Sequence, residues 1–175
     1  MSVSMYRLMV AVLGAALAGP ALAGPTTGNL ITSEKLSWRL ASQLAADAVG
    51  ICAANGYSVT ATVIDTSGHQ QAVVKGDSVA LQSLSVSYRK AYTAYAYGMV
   101  FDKKSTGELI KAGHGGPADA ALNTIPEVMF VPGGVIIRHG STVLGGLGVS
   151  GAPGGDKDEA CAAAALAHLQ PQIDG

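Results

Sequence analysis

The stretch Thr142–Ala160, reading TVLGGLGVSGAPGGDKDEA, limits what this chain can fold into more than any other segment. Its first part, Thr142–Ser150, mixes β-branched and apolar residues with glycines and predicts a strand. Gly145, Gly146 and Gly148 carry no side chain, so a second backbone, a helix or a flat ligand can approach that strand closely. Gly151–Gly155 is a loop of Gly, Ala and Pro, and Asp156-Lys157-Asp158-Glu159 then opens an alanine-rich helix. A helix N-terminus leaves backbone N–H groups unpaired. Asp156 is placed to cap them, and Glu159 three residues on to close a capping box. Carboxylates in that first turn repel an anion, which argues against a phosphate seat there.

In chain order, Thr32 or Ser33 is expected to cap a helix running to about Asn55. Leu36, Leu40, Leu44, Ala48 and Cys52 form its buried stripe. Tyr57–Ile64 reads as a strand, Asp65-Thr66-Ser67-Gly68 as a turn and His69–Lys75 as the returning strand of a hairpin. Asp77 or Ser78 is expected to cap a second helix to about Tyr97, and Ser105-Thr106-Gly107-Glu108 to open a short third one. Glu127–Val131, Val135–Arg138 and Thr142–Ser150 complete five expected strands, and Asp156–Leu169, stopped by Pro171, is the last helix. Neighbouring strands are joined by turns too short for parallel crossovers, so the fold class is α+β with a largely antiparallel sheet.

The N-terminus resembles a secretory signal peptide over residues 1–23: a positive Met1–Arg7, an apolar Leu8–Ala18 and an A-x-A site at Ala21-Leu22-Ala23. Leu8–Ala18 is too short to span a bilayer, and no later run is long enough. A single domain over residues 24–175, periplasmic or secreted, is the expected mature product. Eleven Lys and Arg, one of them Arg7, face twelve Asp and Glu with no basic run, which argues against nucleic acid. A composition of 49% hydrophobic and 13% charged residues is more apolar than one small core can hide, so a homo-oligomer is expected. Cys52 and Cys161 fall on the first and last helices, where a bridge and two buried thiols are both open readings.

No G-x-S-x-G, H-E-x-x-H, P-loop or C-x-x-C motif is present, and no catalytic residue is assigned. His139 is expected in an exposed turn and His168 at a helix C-terminus, where a cation suits the macrodipole. His69 follows a Gly turn and His114 lies in a Gly-rich loop, so both have room for a bulky planar ligand. Tyr88, Tyr92 and Tyr95 share one helical face, either as core or as an aromatic ligand wall. Arg89, Lys90 and Thr93 lie beside it, as solvated residues or as partners for carboxylates.

Four pieces occur in a fixed order: ATVIDTSGH (Ala61–His69), RKAYTA (Arg89–Ala94), PGGVI (Pro132–Ile136), and GGLGVSG (Gly145–Gly151) with DEAC (Asp158–Cys161). Together they resemble the GlcG/HbpS-like haem-binding family, related to the C-terminal domain of PduO-type proteins. The resemblance covers the whole expected mature chain. It implies a profilin-like layered sandwich with a five-stranded antiparallel sheet flanked by helices, and oligomeric assembly. It also implies haem as cofactor, with roles in haem or iron handling, sensing or haem degradation. On that reading His69 and His114 are the candidate ligands of the haem iron, with Arg89, Lys90 and Thr93 near the propionates or the iron. The alternative is a small-molecule-binding accessory subunit of a periplasmic oxidation pathway, without haem, using the same pocket; a cavity along the Tyr88/Tyr92/Tyr95 face too small for a porphyrin would favour it. Binding alone and haem-degrading activity both stay open.

Overall fold

The computed structural model describes residues 32–175; the expected signal peptide and its cleavage site lie outside the described residues. Four strands, β1 Thr60–Ile64, β2 Gln70–Lys75, β3 Gly134–His139 and β4 Thr142–Ser150, form one antiparallel sheet in the order β2-β1-β4-β3. Both hairpins form where turn chemistry placed them. The expectation of five strands is corrected to four, because Glu127–Val131 does not pair with the sheet. Helix side chains take its backbone groups instead. Arg89 Nη2 donates to the Val128 carbonyl at 2.7 Å, and the Met129 N–H donates to Thr93 Oγ1 at 2.7 Å. A segment whose donors and acceptors are already used cannot extend a ladder.

Helix α1 runs Trp38–Ala54, α2 Gln82–Phe101, α3 Thr106–Lys111 and α4 Gly155–Asp174. Three of the expected starts move. Ser37, not Thr32 or Ser33, caps α1, accepting from the Leu40 N–H. Helix α2 begins beyond Asp77 and Ser78 and has no side-chain cap. Helix α4 is preceded by Gly154 without a side-chain cap, and it runs on past Pro171, the residue expected to stop it, which leaves the exposed Ala167 carbonyl without its helical donor. Only α3 starts as read: Ser105 Oγ accepts from the Glu108 N–H at 3.1 Å, and the Glu108 carboxylate accepts from the Lys104 N–H at 2.7 Å.

The helices lie on both faces of the sheet. Leu44, Ala45, Ala48 and Cys52 of α1 and Cys161, Ala162, Ala165 and Leu169 of α4 bury Ala61, Val63, Ile137, Leu147 and Val149 in one apolar core. Burying one such Leu or Val contributes roughly 1.5–3 kcal/mol. Small alanines let α1 and α4 approach, and Cys52 and Cys161 are joined by a disulfide with a Cα–Cα distance of 5.5 Å.

The opposite face is built differently. A Cβ on Gly134, Gly146 or Gly148 would run into the backbone of Lys90, Ala91 and Ser87 respectively. The glycines of β4 therefore admit α2, lying directly on the sheet. Hydroxyl pairs replace apolar contacts beside them: Thr60 Oγ1 with Ser83 Oγ at 2.7 Å, and Thr62 Oγ1 with Ser87 Oγ at 2.8 Å. Gly145 is also held at φ +144°, next to the Ile64 carbonyl, a conformation only glycine takes without strain.

Candidate functional site

Helix α2 positions most of the residues singled out from the sequence, and the tyrosine row has a defined task. Tyr88 Oη donates to the Gly68 carbonyl at 3.3 Å and Tyr95 Oη to the Thr66 carbonyl at 2.6 Å, while the Tyr92 ring lies against Gly68. The three rings clasp the β1–β2 turn rather than line a cavity. Burial raises the Tyr88 and Tyr95 phenols above their ordinary pKa, with Glu127 adding to the effect at Tyr88 and Tyr92 and Asp65 at Tyr95. The same turn is held from below by Asp65. Burial pushes its carboxyl upward, but the Ser67 N–H at 2.9 Å, the His69 N–H at 3.1 Å and Lys35 Nζ at 3.3 Å together hold it below the ordinary value.

His69 leaves this turn on the surface. Its backbone is tied to Asp65, and its imidazole makes no hydrogen bond among the described residues. His114, half-buried in the loop after α3, is held on two sides. Its ring stacks on Phe101 with centroids 3.9 Å apart and planes 20° apart, and its Nδ1 lies 3.4 Å from Asp119 Oδ2. The stack continues through Tyr97, 6.2 Å from Phe101, to Phe130, 5.2 Å from Tyr97. Gly115 has no room for a Cβ, which would strike Phe130. Met99 and Val100, in the same last turn of α2 as Phe101, are exposed apolar side chains. This aromatic row escaped the sequence reading; the i, i+4 spacing of Tyr97 and Phe101 is its one local signal.

The two histidines are not brought together. His69 adjoins the Tyr92 level of α2 and His114 the Phe101 level, roughly 14 Å apart along the helix axis. Arg89 donates Nη2 to Val128, and its Nε is buried without a partner. Lys90 is fully buried, its ammonium 2.7 Å from Asp158 Oδ2. Burial pushes the Asp158 carboxyl up, outweighing the opposing pull of Lys90. Thr93 Oγ1 donates to the Arg89 carbonyl at 2.8 Å and accepts from Met129. Lys90 and Thr93 are thus used within the fold, and Arg89 is the one α2 cation with a donor still unpaired.

The carboxylates of the DEAC segment act across elements. Glu159 accepts from Ser105 Oγ and the Gly107 N–H at 2.8 Å, and from Thr106 Oγ1 and the Gly133 N–H at 3.1 Å. The capping box expected at Asp156 and Glu159 is replaced by a latch joining α4, the N-terminus of α3 and the PGG turn. Two clefts, about 380 Å³ at the start of α2 and about 400 Å³ beside Leu36, Leu40 and His139, hold neither His69 nor His114. His168 Nδ1 pairs with Asp47 Oδ2 at 2.8 Å. Among the described residues no three His, Cys, Asp or Glu side chains converge as a metal site, and no helix is long and apolar enough to cross a membrane.

Comparison with curated proteins gives no match. Solved structures do match. The crystal structure of HbpS is 32% identical with a TM-score of 0.70, over 81% of this chain and 95% of that one. A double mutant of Streptomyces reticuli HbpS is 29% identical with a TM-score of 0.68, over 86% and 98%. The haem complex of PduOC is 27% identical with a TM-score of 0.64, over 76% and 94%. The family described as "Haem degrading protein HbpS-like" matches residues 36–167, from the start of α1 into the last turns of α4. By that match, and by an antiparallel sheet flanked by helices that superposes on HbpS itself, the chain belongs to the HbpS-like family.

Proposed function

We propose that this protein is an exported, homo-oligomeric haem-binding protein that acts in haem or iron handling or sensing. The observation that carries the reading is its membership of the HbpS-like family, one of whose structural relatives was solved as a haem complex. The residues present fit such a group. A porphyrin needs an apolar, planar support and an imidazole whose second nitrogen is oriented by an acceptor. His114 comes nearest to both, with Asp119 Oδ2 3.4 Å from Nδ1 and the Phe101–Tyr97–Phe130 row next to it. His114 is therefore the favoured ligand and His69 the second candidate. Arg89 is the proposed propionate partner; its Nε is buried without an acceptor, so its side chain gains one by turning toward the ligand. Bound haem supplies redox chemistry at its iron; the protein supplies the ligand, its orientation and the apolar support.

Export rests on the leader-like residues 1–23. Assembly rests on exposed apolar side chains, Leu81 at 78%, Val100 at 66% and Trp38 at 63%. The small-ligand alternative lacks the tyrosine-lined cavity that would have favoured it, since Tyr88, Tyr92 and Tyr95 pack on the hairpin turn. Hemin titration followed by absorbance tests the proposal. A saturable Soret shift is expected in the wild type, with strong loss in His114→Ala and little change in His69→Ala. No Soret shift in the wild type, or unchanged spectra in both single variants and the double variant, refutes it. Adding ascorbate to the loaded protein then distinguishes binding from degradation: loss of haem faster than in the protein-free control assigns degradation.

A further inference from the structure

The cleft at the start of α2 has no part in the haem reading, yet it is built with unused polar groups. Its walls include Tyr57, Ser58, Ser78, Gln82, Ser83 and Ser150, and its volume is about 380 Å³, within the size range of small-molecule sites. Ser150 belongs to the G-V-S-G motif, whose glycines seat α2 and let the chain pass Ser58 closely, while the Ser150 hydroxyl has no such task. It pairs with Thr60 in the sheet register and so faces α2. Ser150 is 8% exposed, and its hydroxyl makes no hydrogen bond among the described residues. The neighbouring Ser83 hydroxyl, by contrast, is satisfied by Thr60 and by the Ala80 carbonyl.

Helix α2 starts on the wall of the same cleft, with Gln82 and Ser83 lining it beside Ser150. The helix has no side-chain cap and no acidic residue in its first turn, and the amide of Gln82, on the cleft wall, finds no acceptor among the described residues. No carboxylate lines the cleft. At its rim, Lys157 Nζ sits 5.4 Å from the centre of the Tyr57 ring, so a cation stands close by. A free amide, the positive end of a twenty-residue dipole, a buried donor hydroxyl and a nearby ammonium share one preference, for negative oxygen.

We propose that this cleft binds a small oxyanion, a carboxylate or a phosphate, held by the Gln82 amide and the Ser150 hydroxyl on its wall. The site is independent of haem, so it stands or falls separately from the proposed function. The test is an amide NMR titration of the whole protein, with inorganic phosphate and sodium acetate in separate arms at constant ionic strength. Concentrations reach about 10 mM, enough to saturate a site with a Kd near 1 mM. Saturable shifts of the Gln82 and Ser150 amides are expected in at least one arm, and the arm that responds names the ligand class. Ser150→Ala is expected to weaken binding about tenfold, the loss of one hydrogen bond to a charged acceptor. Gln82→Asp adds a carboxylate that repels an anion while suiting the helix dipole, so it keeps the fold and abolishes the shifts. No saturable shift in either arm, or undiminished affinity in Gln82→Asp, overturns the proposal.

Discussion

Breaking the Cys52–Cys161 bridge is expected to be the most costly covalent change available to this fold. The bridge closes a loop of 109 residues and ties α1 to α4 across the main core. In the chain-entropy treatment a loop of that length removes about 16 cal/mol/K from the unfolded ensemble, or about 4.8 kcal/mol at room temperature. That figure is an upper value, since a compact denatured chain has less freedom to lose. Against a whole-domain stability of about 5–15 kcal/mol, even half of it is a large fraction. The assay is urea unfolding of the oxidised protein, the reduced protein and Cys52→Ala/Cys161→Ala. The reduced form is expected to unfold at a lower midpoint, with a loss of about 2–5 kcal/mol and a fall in Tm of about 10–15 °C. The alanine pair adds the small packing loss of two buried sulfurs. Coincident unfolding of oxidised and reduced protein, with thiol titration confirming the change of state, would falsify the loop-closure reasoning.

Three further outcomes follow from single contacts. Lys90→Met takes the cation from a buried carboxyl that burial already pushes up and leaves it only the Ala152 N–H, and is expected to cost about 3–5 kcal/mol in chemical denaturation; the loss should shrink in Lys90→Met/Asp158→Asn, and an equal loss in both variants would contradict the ion-pair account. Glu159→Gln replaces a carboxylate that accepts four hydrogen bonds with an amide that turns an N–H toward other N–H donors. It is expected to destabilise by about 2–4 kcal/mol, measured by thermal unfolding, with α3 the first element to lose amide-exchange protection. Asp65 has its pKa held below the ordinary 3.8 in the fold, so its contribution is fully present above that value and is lost as pH falls through the folded value. The stability gap between wild type and Asp65→Asn should therefore be level near neutrality and close below pH 3.8; a gap that widens on acidification contradicts the sign.

Periodicity was a good guide wherever one element decided the outcome. The β1–β2 turn needs only Asp65 to Gly68, and the Ser105/Glu108 cap needs only its own four residues, so both are legible locally. Glu127–Val131 has a strand-like composition, but its backbone partners are Arg89 and Thr93, more than thirty residues away. Nothing inside the segment announces that a helix has taken its hydrogen bonds. The missed cap of α2 has the same origin. Asp77 and Ser78 precede a periodic run, yet the chain must still cross from the edge strand β2 before the helix can settle on the glycine face of β4.

The same limit explains which site residues could be read. Asp156-Lys157-Asp158-Glu159 has the i, i+3 spacing of a capping box whether its carboxylates turn back on their own helix or reach forward. The choice depends on what faces the helix. Here Lys90 faces Asp158, and the N–H groups of Gly107 and Gly133 face Glu159, so both carboxylates leave the helix end and hold the core. A buried lysine in RKAYTA is then an answer to a buried aspartate in DEAC, and the two motifs occur in one chain because each leaves the other an unpaired charge. That pairing withdraws Lys90 from ligand binding, just as Met129 withdraws Thr93. What remains open for a ligand is whatever the core does not consume: the His114 ring on its aromatic row, the spare donor of Arg89 and the hydroxyl of Ser150. Two of these three lie on α2 or on a loop packed against it, and the third faces its first turn. The helix seated by the β4 glycines is therefore the element from which ligand chemistry in this fold must be built.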